Sequence, residues 1–251
     1  MTDMIPVALL VLLGAVIGGG VVMFALALRW NRRQRIRFSV HSDENNLSEP
    51  QLCRVTLSPF AQRPVIWLAI RSRNLATIQA ALALDHAAPC SWSEGMSGDY
   101  KLFIAPPVNG WVLVAGAGLP DPSEDVDRCF RSLLELSCKL GHVQYFQADR
   151  VLQRHAWACL EAGRVVRAYA WAGATLWQQG AKTSAEIELG VKCFGYGETS
   201  NAAPWSFAER VAANVDKVPL LAARWSLDPA RIDPRLLARA RGIAGQPSRP
   251  A

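Results

Sequence analysis

Between Ile5 and Leu28 the chain runs 24 residues without a charged side chain. At about 1.5 Å of rise per helical residue, such a segment exceeds the roughly 30 Å hydrocarbon core of a bilayer. It is expected to cross the membrane once, as a transmembrane helix over 5–28. A cleaved signal peptide fits less well, because its short apolar stretch follows a positive start and Met1 to Met4 carry only Asp3 and the amino group. The positive charge lies on the other flank, in Arg29, Arg32, Arg33, Arg35 and Arg37. Short flanks rich in Lys and Arg stay in the cytoplasm, and these arginines also suit anionic headgroups. The expected topology is N-out, C-in, in an inner (plasma) membrane. Gly14 and Gly18, four apart with Gly19 and Gly20 adjacent, form a small-residue ridge on which two such helices could dimerise.

The net charge of +6 divides unevenly: −1 over residues 1–28, +5 over 29–37, −2 over 38–223 and +4 over 224–251. The body of the chain is not basic, so the electrostatic footprint of a nucleic-acid binder is missing and no nucleic-acid partner is expected. Six cysteines carry no C-x-x-C spacing, and the histidines stand apart without metal-ligand spacing, so no metal and no cofactor is expected. A reducing cytosol makes most of these thiols small buried hydrophobes. Abundant Trp, Ala and Arg give the composition a bacterial flavour.

The organisation read from the sequence has four parts: an anchor (1–30), a basic juxtamembrane segment and linker (31–64), a cytoplasmic α+β domain (65–241) and a disordered tail (242–251). Within the domain, Val65 to Arg71 is a strand. Ser72 is placed to cap a helix carrying Leu75, Ile78 and Leu82. A loop containing Ser91 to Gly95 precedes a hairpin, Lys101 to Ala105 and Trp111 to Gly116, turned by Pro106 to Gly110. Asp121-Pro122-Ser123-Glu124 starts a long amphipathic helix that ends at Gly141. Val143 to Asp149 is the next strand. The order β-α-β-β-α-β is that of a ferredoxin-like antiparallel or mixed sheet, here extended by a hairpin turning at Ala162-Gly163 and followed by C-terminal helices.

Counted outward from a two-residue turn, the second hairpin places Arg154 opposite Trp171, Ala158 opposite Arg167 and Ala156 opposite Tyr169. One face thus collects Arg154, Arg167, Tyr169 and Trp171, with Tyr145 and Gln147 joining from a neighbouring strand. Guanidinium forks and rigid aromatics suit a partner protein or an anionic ligand. The competing expectation is that the C-terminal helices cover this face and its arginines pair with Glu186 and Glu188. Other patterns are weaker: Gly116-Ala117-Gly118 lacks the third glycine of a dinucleotide turn, Gly180 to Thr183 lacks the first glycine of a phosphate loop, and His155 and Cys159 lie too far apart along a strand for a nucleophile pair.

The functional expectation is a membrane-tethered cytoplasmic binding or regulatory module that engages a protein partner, as an adaptor, a regulator or a toxin-neutralising protein. Two alternatives stand beside it. One is a membrane-associated enzyme gripping an anionic substrate with Arg154, Arg167 and Tyr169 and using Glu94 or Asp99 as acid/base. The other is a structural protein dimerising through Gly14 and Gly18.

Overall fold

The computed structural model describes residues 64–97, 100–198 and 204–248. Contacts divide the chain into residues 1–55 and 56–251, and the described residues all belong to the second unit. The expected membrane helix, Gly14, Gly18 and the five flanking arginines lie outside the described residues, and so does Asp99. Among the described residues no helix is long and apolar enough to cross a membrane.

The domain is α+β, built on one antiparallel sheet of nine strands: β1 (Ile66–Arg71), β2 (Leu84–Cys90), β3 (Leu102–Ile104), β4 (Trp111–Ala115), β5 (His142–Asp149), β6 (Arg154–Glu161), β7 (Arg164–Trp171), β8 (Thr175–Gln179) and β9 (Gly242–Pro247). Their order across the sheet is β2-β9-β3-β4-β1-β5-β6-β7-β8. The helices are α1 (Leu75–Ala81), α2 (Trp92–Met96), α3 (Val126–Leu140), α4 (Ser184–Glu188), α5 (Pro204–Trp225) and α6 (Pro234–Arg239). They form layers on both faces. On one, Ile78 of α1 and Cys129, Leu133 and Leu136 of α3 pack on Leu68, Ile70, Val114 and Val143. On the other, Trp92 of α2, Val218 and Leu221 of α5 and Leu237 of α6 cover Trp67, Phe146, Trp157 and Tyr169.

Local chemistry explains most of the boundaries. The side chain of Asn74, not Ser72, caps α1, accepting from the Ala76 and Thr77 amides, while Ser72 Oγ accepts from the Asn74 amide. Asp125 rather than Asp121 caps α3, and Asp121 closes a turn by accepting from Ser123 N at 2.7 Å. Gly141, at φ 83, ends α3 as the sequence predicts. Asp228 and Asp233 both cap, over a 3-10 turn at Pro229–Arg231 and over α6.

Beyond the caps of α1 and α3, three further expectations are corrected. The segment read as a loop before Lys101 contains β2 and α2; Ser91 and Glu94 form a capping box on α2, which occupies the carboxylate offered above as an acid/base group. Residues read as the start of a disordered tail form β9, paired with both β2 and β3. Gly242 makes this possible, since a Cβ there would collide with the Ile104 carbonyl and the Phe103 ring. Finally, the second hairpin does not keep its outward register. Ala162 (φ 46) and Gly163 (φ 76) make the tight turn and Glu161 faces Arg164, but a bulge follows, so that Cys159 faces Arg167 and Trp157 faces Tyr169. One extra residue on β7 moves everything after it to the opposite face of the sheet.

Candidate functional site

That single bulge separates the residues expected to share a surface. Arg167, Tyr169 and Trp171 lie beneath the C-terminal helices, whereas Tyr145 belongs to the face covered by α1 and α3. The Arg167 side chain is 1% exposed and sits in a fork-to-carboxylate pair with Glu186, Nη2 to Oε1 at 2.8 Å and Nε to Oε1 and Oε2 at 2.9 and 3.0 Å. Tyr169 accepts from the Phe194 amide at 3.0 Å, and Trp171 packs on the rings of His155 and Phe194. The Tyr145 hydroxyl donates to the Pro120 carbonyl at 3.0 Å, and Gln147 is buried with its Nε2 unpaired. Arg154 reaches Ser123 Oγ at 2.7 Å and lies 3.9 Å from Asp121. No common ligand surface forms from these six residues. The covered-face expectation is met for Arg167, which Glu186 takes; Arg154 turns to Asp121 and Ser123 instead, and Glu188 pairs with Arg224 of α5.

Beside that pair lies His155, stacked between Trp157 and Trp171. Its Nε2 accepts from Asn214 Nδ2 at 3.2 Å, which leaves the proton on Nδ1 without a partner. Burial pushes its pKa down from 6.5 to about 3. The unfolded chain therefore binds the proton first as the medium acidifies. Stability held at neutral pH is expected to fall as pH drops below 6.5, by about 2–3 kcal/mol between pH 6.5 and 4.5. Urea titrations at the two pH values check this, and His155→Phe is expected to flatten the slope; an unchanged slope would remove His155 as its source.

The accessible chemistry gathers elsewhere, at the sheet end where β4 and β5 begin and β1 and β6 finish. Register sets Trp111 opposite Arg71, His142 opposite Glu161, and Gln144 opposite Cys159. His142 Nδ1 lies 3.3 Å from Glu161 Oε1, and His142 Nε2 lies 3.0 Å from Gln144 Nε2 and 3.7 Å from Cys159 Sγ. These partners assign the ring proton to Nδ1, donating to the carboxylate, with Nε2 as acceptor from the Gln144 amide and the thiol. The Trp111 ring meets His142 edge-on at 5.2 Å between centroids. Two anchors hold the block together. The Ala162 amide donates to Gly141 O at 2.8 Å and the Gly163 amide to Ser137 Oγ at 3.0 Å, tying the hairpin turn to the end of α3 and so Glu161 to the start of β5.

Burial lowers the His142 pKa; Glu161 opposes this and Arg71 adds to it. Burial also pushes the Cys159 thiol up to about 11, with Glu161 adding to the rise. Neither shift favours a thiolate–imidazolium pair, so the block is not poised as a free nucleophile at neutral pH. Next to it, Arg71, Ser72, Arg73, Asn109, Gly110 and Trp111 line an open depression of about 500 Å³. Arg71 and Arg73 are both exposed, and neither pairs with a carboxylate among the described residues.

Sequence reasoning missed this end of the sheet because it searched for partners along the chain. The signal was present: pairing the strand read at Val143 to Asp149 with the strand read at His155 to Glu161 through a short turn already sets His142 against Glu161. Compared with protein-family models, curated proteins and solved structures, the chain matches none.

Proposed function

We propose that this chain is a membrane-tethered module that binds a protein partner, and that the depression around Trp111 takes an acidic segment of that partner. One observation carries the reading: two exposed guanidiniums, Arg71 and Arg73, stand without carboxylate partners among the described residues, beside a half-buried indole in an open depression. Arg and Trp are the residue types that most often anchor protein interfaces, and an open depression suits an extended segment better than a small substrate, which needs enclosure. The groups that an anionic-substrate enzyme was expected to use are committed elsewhere, Arg167 to Glu186 and Glu94 to a helix cap.

The tether is the apolar run Ile5 to Leu28, and the arginines after it orient the domain to the cytoplasm. We further read β1-α1-β3-β4-α3-β5 as a ferredoxin-like unit, supported by the neighbour order β3-β4-β1-β5 and by α1 and α3 packing on one face. On this reading β2, α2 and β9 are additions at one side of that unit, and β6 to β8 at the other.

Affinity capture of the full chain from detergent-solubilised native membranes tests the function. Wild type is expected to retain a stoichiometric protein partner, and the double variant Arg71→Glu, Arg73→Glu to lose it by tenfold or more, because reversing two rim charges sets like charges against an acidic segment. Equal recovery by the two proteins, or recovery of no partner by either, would overturn the proposal.

A further inference from the structure

We propose that Cys159, His142 and Glu161 form a binding site for a zinc-class divalent transition ion, a role independent of the partner-docking reading above. The ligand atoms of the three side chains lie within 4.8 Å of one another. Thiolate, imidazole and carboxylate are the donors that zinc takes, at about 2.3 Å for sulfur and 2.0–2.2 Å for nitrogen and oxygen. Two such bonds at the tetrahedral angle hold sulfur and nitrogen about 3.6 Å apart. The observed Cys159 Sγ to His142 Nε2 separation is 3.7 Å, so the pair meets the edge of the coordination tetrahedron without moving the backbone.

The tautomer fits as well. A metal-bound imidazole presents a bare nitrogen to the ion and donates its other N–H to a carboxylate or carbonyl. Here Nε2 is the bare nitrogen and Nδ1–H already faces Glu161 at 3.3 Å. Glu161, exposed at the strand end, has two ways to serve: it swings one oxygen onto the ion, or it stays on Nδ1 and fixes the ring.

A second observation points the same way. Gln144 is 3% exposed, its Nε2 contacts His142 Nε2 and the Trp225 carbonyl, and its Oε1 has no partner. Exchanging the amide oxygen and nitrogen only moves the vacancy to the other end, since the exchanged oxygen would face a carbonyl. A buried amide with one unsatisfied end costs free energy unless something else completes it. An ion held at Nε2 displaces the Gln144 contact to that nitrogen and frees the amide to turn toward a metal-bound water.

The ion also resolves the electrostatics of the block. On coordination the Cys159 S–H proton leaves to solvent and the metal–sulfur bond replaces it, so that one proton is released per ion bound and no change of oxidation state is involved. With Glu161 on the ion there are three protein donors and the fourth tetrahedral position is left for water or a donor atom of a partner; with Glu161 on Nδ1 there are two, and two positions are left.

Cobalt(II) titration of the untagged, reduced full chain in detergent, with zinc competition, provides the test. The expected result is one Co²⁺ per chain with an intense thiolate-to-cobalt charge-transfer band, displaced by stoichiometric Zn²⁺. Cys159→Ser and, separately, His142→Ala are expected to abolish the band while near-ultraviolet circular dichroism stays that of the wild type. Glu161→Gln is expected to keep the band and weaken binding by about 10–100-fold, in line with loss of a carboxylate that supports a ligand. Cys138→Ser, which changes an exposed thiol, is expected to leave both unchanged. Absence of a thiolate band in the wild type, or its persistence in Cys159→Ser, would overturn the site; neither result bears on partner capture through Arg71 and Arg73.

Discussion

Ending the chain at Arg241 is expected to unfold the domain, at a cost of about 5 kcal/mol or more, which is comparable with the whole stability of an ordinary domain. The last residues hold the interior of the sheet: β9 pairs Ala244 with Ala88 on one side and with Phe103 on the other, and Ala244 is fully buried. Without β9, both the remaining edge of β3 and the whole inner edge of β2 lose their backbone partners, and the core clusters on the two faces lose Ala244 and Ile243. A smaller change addresses the same place. Gly242→Val puts branched carbon where the Ile104 carbonyl and the Phe103 ring already stand, and the strand must move away from β3 to admit it. Soluble yield and urea midpoints of the two variants check this. A truncated chain that unfolds at the wild-type midpoint would show that β9 does not contribute to stability.

Glu186→Ala is expected to cost about 3–5 kcal/mol, because it leaves the Arg167 guanidinium charged, dry and without its counter-ion. Glu186 accepts from Trp157 Nε1 at 2.8 Å, from the Thr183 amide at 2.8 Å and from Thr183 Oγ1 at 3.0 Å, besides the Arg167 contacts, so one substitution takes the acceptor from donors on three residues. Replacing both Arg167 and Glu186 by apolar residues is expected to recover part of the loss only, since the Trp157 and Thr183 donors stay unsatisfied. Arg224→Ala is the contrasting case. It breaks a pair with Glu188 in which both side chains are more than half exposed, and such pairs contribute at most about 1 kcal/mol. Denaturant unfolding of the three proteins separates these magnitudes, and a loss under 1 kcal/mol for Glu186→Ala would contradict the buried-pair account. The pH dependence has a definite sign. Burial raises the Glu186 carboxyl, but the hydrogen bonds and charge of Arg167, with the Thr183 amide, outweigh it and hold the group below 4.5. Its stabilising contribution is therefore complete above that pH and is lost as pH falls through the depressed value.

Elements that carry their own local signal were legible in the sequence. The helix α3 has an amphipathic repeat and a glycine stop, and the turn at Ala162-Gly163 was placed to the residue. Strands β2 and β9 were not. In β2 the five residues from Asp85 to Pro89 are exposed, His86 takes φ 51 and the pairing slips between Asp85 and Ala88, so no alternation marks it as a strand. In β9 the glycines that normally argue against a strand are there because backbone approaches backbone, Gly242 at Ile104 of β3 and Gly245 at Asp85 of β2, a reason visible only once both neighbours are in place. The bulge in β7 was hidden because Val165 and Val166 are both apolar and either suits the buried side. That one slip decided whether Arg167 faces the covering helices as a structural cation or stands elsewhere as a binding group. The block of His142, Gln144, Cys159 and Glu161 was legible only in two dimensions, since its members adjoin across strands rather than along one.

The position of β9 also sets the order in which this protein can acquire its structure. The strand pairs with residues about 140 to 160 positions earlier, from Leu84 to Ile104, and every other neighbour in the sheet lies closer in sequence. Hairpins such as β5-β6-β7-β8 close locally and early, while the β2-β9-β3 joint waits on the longest loop in the domain, and such non-local pairings slow folding. Until that joint closes, β2 and β3 present open hydrogen-bonding edges, and a chain in that state is recruited readily into edge-to-edge association. Refolding is therefore expected to be limited by capture of the C-terminal strand, and raising the protein concentration during that interval is expected to divert chains to aggregate.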